Sequence, residues 1–301
     1  MAKKSKRNTP KPGSNRAQRI AERRSEQEQL AAATTARTYA GLGYECDLVA
    51  LREFVPSATA PLPVRDGSRP VTLASVLPGA VAALVREQEE PTGFVGMQTQ
   101  PQPNDPASAL AAAVQWVVGA SPGDSLAAGE SDADTPALTD VLDPDGSLEI
   151  TVHKDFSWWI PAGTEPDADA AAAVERANSV IMPTARLDGL AAAWWVDAGD
   201  KAHLRWVRPE DEDALMLALA RVHARAGLHL GDGSRFAGTF RTHGLLVPVF
   251  DLDPERHPSE WAEPAQELDK VLAEALAVDA PLTADERRSR DGLRSRQVTI
   301  R

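Results

Sequence analysis

The fold is decided by residues 190–252, whose sequence is LAAAWWVDAGDKAHLRWVRPEDEDALMLALARVHARAGLHLGDGSRFAGTFRTHGLLVPVFDL. Residues 190–197 are apolar and aromatic, residues 198–201 have the composition of a turn, and residues 202–208 are again rich in apolar side chains. Two such runs joined by a short turn predict a β-hairpin. The stretch also holds three of the seven tryptophans of the chain, which favours a place in the core.

A helix and a second hairpin are predicted to follow the first one. Pro209 is placed to open the helix, the acidic run 210–213 complements the positive end of the helix dipole, and Gly227 closes the helix. Residues 236–240 and 245–252 are predicted as the second pair of strands. Because turns this short join antiparallel strands and leave no room for parallel crossovers, the predicted fold class is α+β.

Composition divides the whole chain into five segments. The segment between the two lobes holds seven acidic residues and no Lys or Arg, which is typical of a solvated linker. We predict a basic disordered arm with a marginal helix (1–43), a first α+β lobe (44–120), the acidic linker (121–146), a second α+β lobe (147–278) and a basic C-terminal tail (279–301). Each lobe is predicted to hold antiparallel-leaning strands with helices packed on one side. A vague similarity in the order of elements raises the hypothesis that the lobes are distant repeats.

Local signals predict further elements in these segments. In the first lobe, Asp47 is predicted to cap a short helix, residues 79–88 a second helix, and Asp105 a third helix that begins at Pro106. In the second lobe, residues 167–179 are predicted as an alanine-rich helix. The residues from Thr283 to Glu286 have the spacing of a capping box, although the helix behind them carries few apolar residues.

Charge is distributed unevenly along the chain, whose formal net charge is −12. Residues 1–24 hold nine Lys/Arg and one acid, whereas residues 37–285 hold 17 Lys/Arg and 39 Asp/Glu. Residues 1–14 show no apolar periodicity and are predicted to be disordered. Since an acidic body repels polyanions and anionic membranes, we expect no membrane contact, and weak, sequence-independent nucleic-acid binding through residues 1–24 alone. The residues expected to contact a polyanion are Lys3, Lys4, Lys6, Arg7 and Lys11.

Cys46 is the one cysteine, so the chain cannot form an intrachain disulfide. Its neighbours Glu45 and Asp47 disfavour the thiolate, which favours an unreactive, buried thiol. The lysine-rich start is not followed by the apolar segment of a signal peptide, and no run approaches the roughly 18 apolar residues of a membrane span. These features predict a cytoplasmic protein.

Asp251 and Asp253 are the candidate metal ligands. Residues two apart on a strand face the same side, so two carboxylates near His257 could hold a divalent cation or share a proton. The alternative is that the strand simply leaves the core into a polar turn at residues 253–255.

Other motifs carry no recognisable chemistry. Residues 231–234 are glycine-rich but lack the Lys-Ser/Thr of a phosphate loop, and residues 143–146 lack the flanking ligands of a calcium loop. His223 and His229 lie six residues apart, which does not fit the helical zinc pair, and are interpreted as structural or surface histidines.

No cofactor is implied, and the sequence does not specify a reaction. We expect a cytoplasmic, non-enzymatic protein-interaction module with an unknown protein partner. One alternative is a nucleic-acid- or ribosome-associated factor that acts through the basic arm. Another is a metal-dependent hydrolase that uses Asp251 and Asp253.

Two segments carry a resemblance to a known family. Residues 47–62 (DLVALREFVPSATAPL) and residues 236–252 resemble an uncharacterised actinobacterial domain family of unknown function. The starting AKKSKR (residues 2–7) and the closing SRQVTIR (residues 295–301) fit the same pattern, so the resemblance covers nearly the whole chain. Members of that family sometimes carry labels such as preprotein translocase or topoisomerase. This sequence has no nucleotide-binding loop, catalytic-tyrosine context or Cys-rich zinc tail, so the resemblance implies a family without a mechanism.

Overall fold

The computed structural model describes residues 36–299, apart from Asp66, Ser68 and the side chains of Val298 and Thr299. The disorder predicted for residues 1–14, and most of the marginal helix predicted behind it, lie outside these residues. The described chain forms two mostly antiparallel sheets of six strands each, together with seven α-helices. The predicted α+β fold class is therefore confirmed.

The first sheet has the spatial order β5-β3-β4-β2-β1-β6. Its strands are β1 (Ala58–Pro61), β2 (Val71–Ala74), β3 (Ala83–Arg86), β4 (Thr92–Gly96), β5 (Ser125–Leu126) and β6 (Thr151–Val152). Strands β2 and β4 are parallel, and the other pairings in this sheet are antiparallel. One face packs against α1 (Glu45–Glu53), α2 (Pro106–Gly119) and α3 (Leu138–Val141), which together enclose the first core.

The helices of the first lobe confirm one prediction and correct two. Asp105 caps α2 by accepting hydrogen bonds from the next two free amides, as predicted. Helix α1 begins two residues before Asp47, whose side chain instead binds Arg186 of the second lobe. The helix predicted over residues 79–88 is wrong, since the chain forms a 3-10 turn (Pro78–Ala80) and then β3. Burial alternates along β3, which is the period-two pattern of a strand.

The acidic segment 121–146 differs from a free linker. It contributes β5, which pairs with β3, and α3. Leu138 and Leu142 are buried in the first core, so two apolar side chains anchor an otherwise polar segment. Strand β6 follows and pairs with β1, and the first sheet therefore extends along the chain to Val152.

The second sheet has the spatial order β12-β10-β11-β9-β8-β7. Its strands are β7 (Thr184–Arg186), β8 (Ala193–Asp197), β9 (Ala202–Trp206), β10 (Ser234–Thr242), β11 (Leu245–Leu252) and β12 (Gln297–Thr299). The two predicted hairpins are β8–β9 and β10–β11, and both are antiparallel. Five of the six positions correspond to those of the first sheet in chain order. The last position does not, because β6 is the final strand of its sheet along the chain whereas β7 is the first of its own. Strand directions differ, because β9 and β11 are antiparallel whereas β2 and β4 are parallel.

Four helices belong to the second half of the chain: α4 (Ala168–Asn178), α5 (Glu212–Ala224), α6 (Ala262–Leu276) and α7 (Ala284–Arg294). Helices α5, α6 and α7 cover one face of the second sheet and form the second core with it. The predicted capping box at Thr283 and Glu286 is confirmed. Leu282 and Leu293 are buried in this core, and β12 pairs with β10, so the C-terminal segment is packed more firmly than its composition predicts.

The second sheet is buried on both faces. Ala193 and Trp195 of β8 lie in the second core, whereas Trp194 and Val196 lie in the first core beside residues of α1 and α2. Phe54 at the end of α1 makes an edge-to-face contact with Phe240 of β10. The first core is therefore formed by residues of both lobes.

Candidate anion-binding groove

A groove of about 720 Å³ opens where the end of α5, the start of β10 and the α7–β12 connection meet. Its polar lining consists of His223, His229, Ser234, Arg235 and Arg296. Two of these five side chains are arginines, and none is acidic. The groove is therefore a basic site on an acidic protein.

The end of α5 sets the position of His229. The helix ends at Ala224. Ala226 takes a left-handed conformation (φ 56°) one residue before the predicted glycine, and the amide of Gly227 donates to the carbonyl of Val222 at 3.0 Å. The chain then turns, and the Gly231 amide donates to Nδ1 of His229 at 2.9 Å. Because Nδ1 is an acceptor, the ring proton of neutral His229 lies on Nε2, which can donate to a ligand.

A β-bulge in β10 brings Arg296 to the groove. The register between β10 and β11 shifts between Phe236 and Gly238. Gly238 has φ 149°, and a Cβ at this position would lie 2.9 Å from the carbonyl oxygen of Arg296. A glycine is thus required for the last turn of the chain to approach β10. Within the described part of the chain, the Arg296 guanidinium has no hydrogen-bond or ion-pair partner.

A second depression of about 360 Å³ shares His223 and Arg296 with the groove. Nδ1 of His223 lies 3.1 Å from the Ser289 hydroxyl on α7. Arg288 also lines this depression and pairs with Asp285. The two depressions together place three arginines and two histidines around one continuous surface, against the single acid Asp285 in their linings. Such a surface attracts anions and can hold carboxylates or phosphates by charge-assisted hydrogen bonds.

Asp251 lies beside the groove and is surrounded by cations. Its Oδ2 accepts hydrogen bonds from Lys201 at 2.8 Å and Arg235 at 2.7 Å. His203 lies on its other side, with Nδ1 3.3 Å from Oδ1, and burial lowers the pKa of this histidine. Partial burial would raise the pKa of Asp251, but the hydrogen bonds from Lys201 and Arg235 outweigh it and hold the pKa below its usual range.

Asp253 and His257 have hydrogen-bond partners different from those of Asp251. Oδ1 of Asp253 accepts from the Glu255 amide, which is the polar turn considered from the sequence. His257 caps a 3-10 turn in a reciprocal arrangement with Glu260. Among the described residues, no group of three or more His, Cys, Asp or Glu is arranged to hold a metal ion. The metal site at Asp251 and Asp253 stays a prediction, and its test is whether Mg²⁺ raises the melting temperature.

We expect Asp251→Asn to lower the free energy of unfolding by about 1–2 kcal/mol at pH 7, since both cationic partners are more than half exposed and screened. A carboxylate whose pKa is depressed by folding stabilises the protein above about pH 4 and loses this effect as the pH falls through its folded-state pKa. Urea unfolding at pH 7 and near pH 2 should therefore show a difference that disappears in acid. Asp253→Asn keeps its acceptor oxygen and is the control. A difference that persisted at low pH would contradict this role of the Asp251 charge.

Seven other residues were considered from the sequence. Lys3, Lys4, Lys6, Arg7 and Lys11 lie outside the described residues. His223 and His229, interpreted as structural or surface histidines, are the two that the fold brings together with Arg296. The available signal was the arginine-rich end of the chain, with six Arg in the last sixteen residues.

Comparisons with known proteins give a family but no activity. The model of a family described as "Family of unknown function (DUF5926)" matches residues 38–301. The resemblance to a family of unknown function is thereby confirmed. No curated protein and no solved structure matches the chain. In the described part of the chain, no helix has both the length and the apolar character needed to cross a membrane.

Proposed function

We propose that this chain, which belongs to the family of unknown function DUF5926, is a protein-interaction module that binds an acidic segment of a partner protein in the basic groove. The observation that carries the proposal is Arg296. Arg296 lines the groove, and its side chain has no partner among the described residues, whereas Arg235 and Arg288 pair with Asp251 and Asp285. An unpaired guanidinium can receive a carboxylate through two parallel hydrogen bonds.

Neighbouring groups support the same ligand chemistry. Nε2 of His229 is a donor in the neutral ring, and the Ser289 hydroxyl lies beside His223 in the adjoining depression. These donors lie at different points along the groove and the adjoining depression, and on different secondary-structure elements. An extended segment with several carboxylates could therefore contact them one after another. The walls include Leu228 and Phe236, which offer apolar contact between the charges.

The charge of the whole protein favours a short acidic segment over nucleic acid. The groove lies on a body whose residues 37–285 carry 39 acids and 17 Lys/Arg. A long polyanion would extend beyond the groove and be repelled by this acidic body. A partner segment of a few residues would contact the groove alone.

A cytoplasmic location goes with this proposal. Cys46 is a free, buried cysteine in the first core. The chain has no second cysteine, so its fold uses no intrachain disulfide, as is usual for proteins of reducing compartments.

We expect a fluorescein-labelled hexaglutamate peptide to bind the intact protein at low salt, with Kd measured by fluorescence anisotropy. Arg296→Ala should raise Kd by roughly tenfold, because a hydrogen bond to a charged group contributes about 1.5–3 kcal/mol. Arg176→Ala removes the same charge from exposed α4, away from the groove, and should leave Kd nearly unchanged. The proposal would be wrong if the two substitutions had equal effects or if the wild-type protein did not bind the peptide.

A further inference from the structure

Helix α4 stands out because it is held so loosely to the rest of the protein. None of its residues is buried, and none belongs to the apolar clusters of the described chain. Its C-terminal end is tied to the body where Oδ1 of Asn178 accepts a hydrogen bond from the Phe156 amide at 2.8 Å. A helix of this length is marginal in water without tertiary packing, so a further contact would stabilise it.

The residues that follow α4 expose apolar side chains. Val180 is 77% exposed and Met182 is 41% exposed, and they are among the few large apolar residues at the surface of the described chain. We call α4 together with residues 164–167 and 179–183 the α4 surface. It combines exposed apolar side chains with a charged helix face.

The charge of the α4 surface is negative. Glu165, Asp167, Asp169 and Glu175 are exposed and have no ion-pair partner in the described part of the chain, and Arg176 is the accompanying cation. Four acids and one arginine give this surface a formal charge of −3. Two copies of the surface would therefore repel each other, whereas a basic segment with apolar residues would be attracted.

We propose that the basic N-terminal segment of the same chain, residues 1–35, docks on the α4 surface. Its first 24 residues hold nine Lys/Arg and one acid, and Ile20 and Leu30 are its large apolar residues. They complement the charge of α4 and the exposed Val180 and Met182. The arginines in residues 16–24 follow one another at i, i+3 and i, i+4 spacing. This spacing would place them on one face of a helix, where they could contact α4.

The described chain begins close enough for this contact. Arg37 pairs with Glu45, and Asp47, two residues further along α1, binds Arg186 of β7 at 2.9 Å. Strand β7 directly follows the exposed residues 179–183. Thirty-five residues can span more than about 100 Å when extended, so the tether does not limit docking. A covalently attached segment also has an effective concentration in the millimolar range, above that of an external competitor.

Thiol labelling of the full-length protein tests the docking. Burial raises the pKa of the Cys46 thiol to about 12, so the native cysteine reacts slowly with maleimide and leaves a low background. Val180→Cys places a reactive thiol on the α4 surface, and Ala273→Cys places one on the exposed side of α6 as the matched control. Each is compared with and without Arg16→Ser, Arg19→Ser, Arg23→Ser and Arg24→Ser, which keep the segment's length.

We expect the four substitutions to speed labelling at position 180 by roughly fivefold or more. The attached segment has an effective concentration in the millimolar range, which keeps it mostly docked while its arginines are present. Labelling at position 273 should not change. In 1 M NaCl, where the Debye length is about 3 Å, labelling of the otherwise unmodified chain at position 180 should also speed up. Equal rates with and without the arginines would overturn the proposal. Slow labelling at position 180 that depends on protein concentration would also overturn it, and would assign the surface to a second copy of the chain. Equal acceleration at positions 180 and 273 would overturn it as well.

Discussion

Replacing Trp194 with alanine is expected to lower the free energy of unfolding by about 3–5 kcal/mol, the range for removing a fully buried aromatic side chain. Trp194 has no exposed surface, and it lies in the first core although its strand belongs to the second sheet. The cavity would therefore open at the junction of the two lobes. Since a domain of this kind has a stability of about 5–15 kcal/mol, the loss is a large fraction of the total.

The position of Trp194 makes a second readout possible. Cys46 is buried in the same core but belongs to the first lobe. If the core joins the lobes, Trp194→Ala should lower the urea concentration at which the Cys46 thiol becomes reactive, together with the midpoint measured by circular dichroism. Trp194→Phe is the matched control. It keeps most of the volume and removes an indole N–H that has no hydrogen-bond partner in the described structure, so its effect should be much smaller. Unchanged Cys46 labelling in the alanine variant would mean that the lobes unfold independently.

The hairpins of the second sheet could be predicted because their signals are local. Residues 193–206 contain two apolar runs around a turn at Gly199. There φ is 86°, and the Asp197 carboxylate accepts a hydrogen bond from the Gly199 amide. Turn chemistry and strand composition agree there, so the sequence suffices. The burial of both faces of β8 was harder to foresee, because it depends on a partner layer, α1, that lies about 140 residues earlier in the chain.

The first lobe shows where local signals mislead. The alanine-rich start of residues 79–88 favours a helix by propensity, yet β3 forms because β4 and β5 provide strand partners on both sides. Asp47 had the residue type and position of a helix cap, but Arg186, distant in sequence, binds its carboxylate. In each case a tertiary contact outweighs a local preference of about 1 kcal/mol or less.

The candidate groove could not be predicted from the sequence, because its residues come together only in the folded structure. Its histidines and arginines come from α5, the α5–β10 connection, β10 and the α7–β12 connection, and they meet because β12 pairs in parallel with β10 beside the bulge at Gly238. The sequence gives their types but no spacing that relates Arg296 to His229. For the metal hypothesis, the sequence shows the i, i+2 spacing of Asp251 and Asp253. It does not show that Lys201 and Arg235 bind Asp251, because these contacts form only in the folded sheet.

Leu219→Ala is expected to lower the free energy of unfolding by about 2–5 kcal/mol, because Leu219 is fully buried in the second core on the inner face of α5. Glu212→Ala, on the first turn of the same helix, is the comparison. The helix dipole alone predicts a cost of less than about 1 kcal/mol for this change. In the structure Glu212 also accepts hydrogen bonds from Arg241 of β10 and from Gln297 of β12, so we expect about 1–2 kcal/mol. Urea unfolding should rank Leu219→Ala as the more destabilising of the two. The reverse order would mean that the polar contacts holding β12 contribute more to stability than the apolar face of α5.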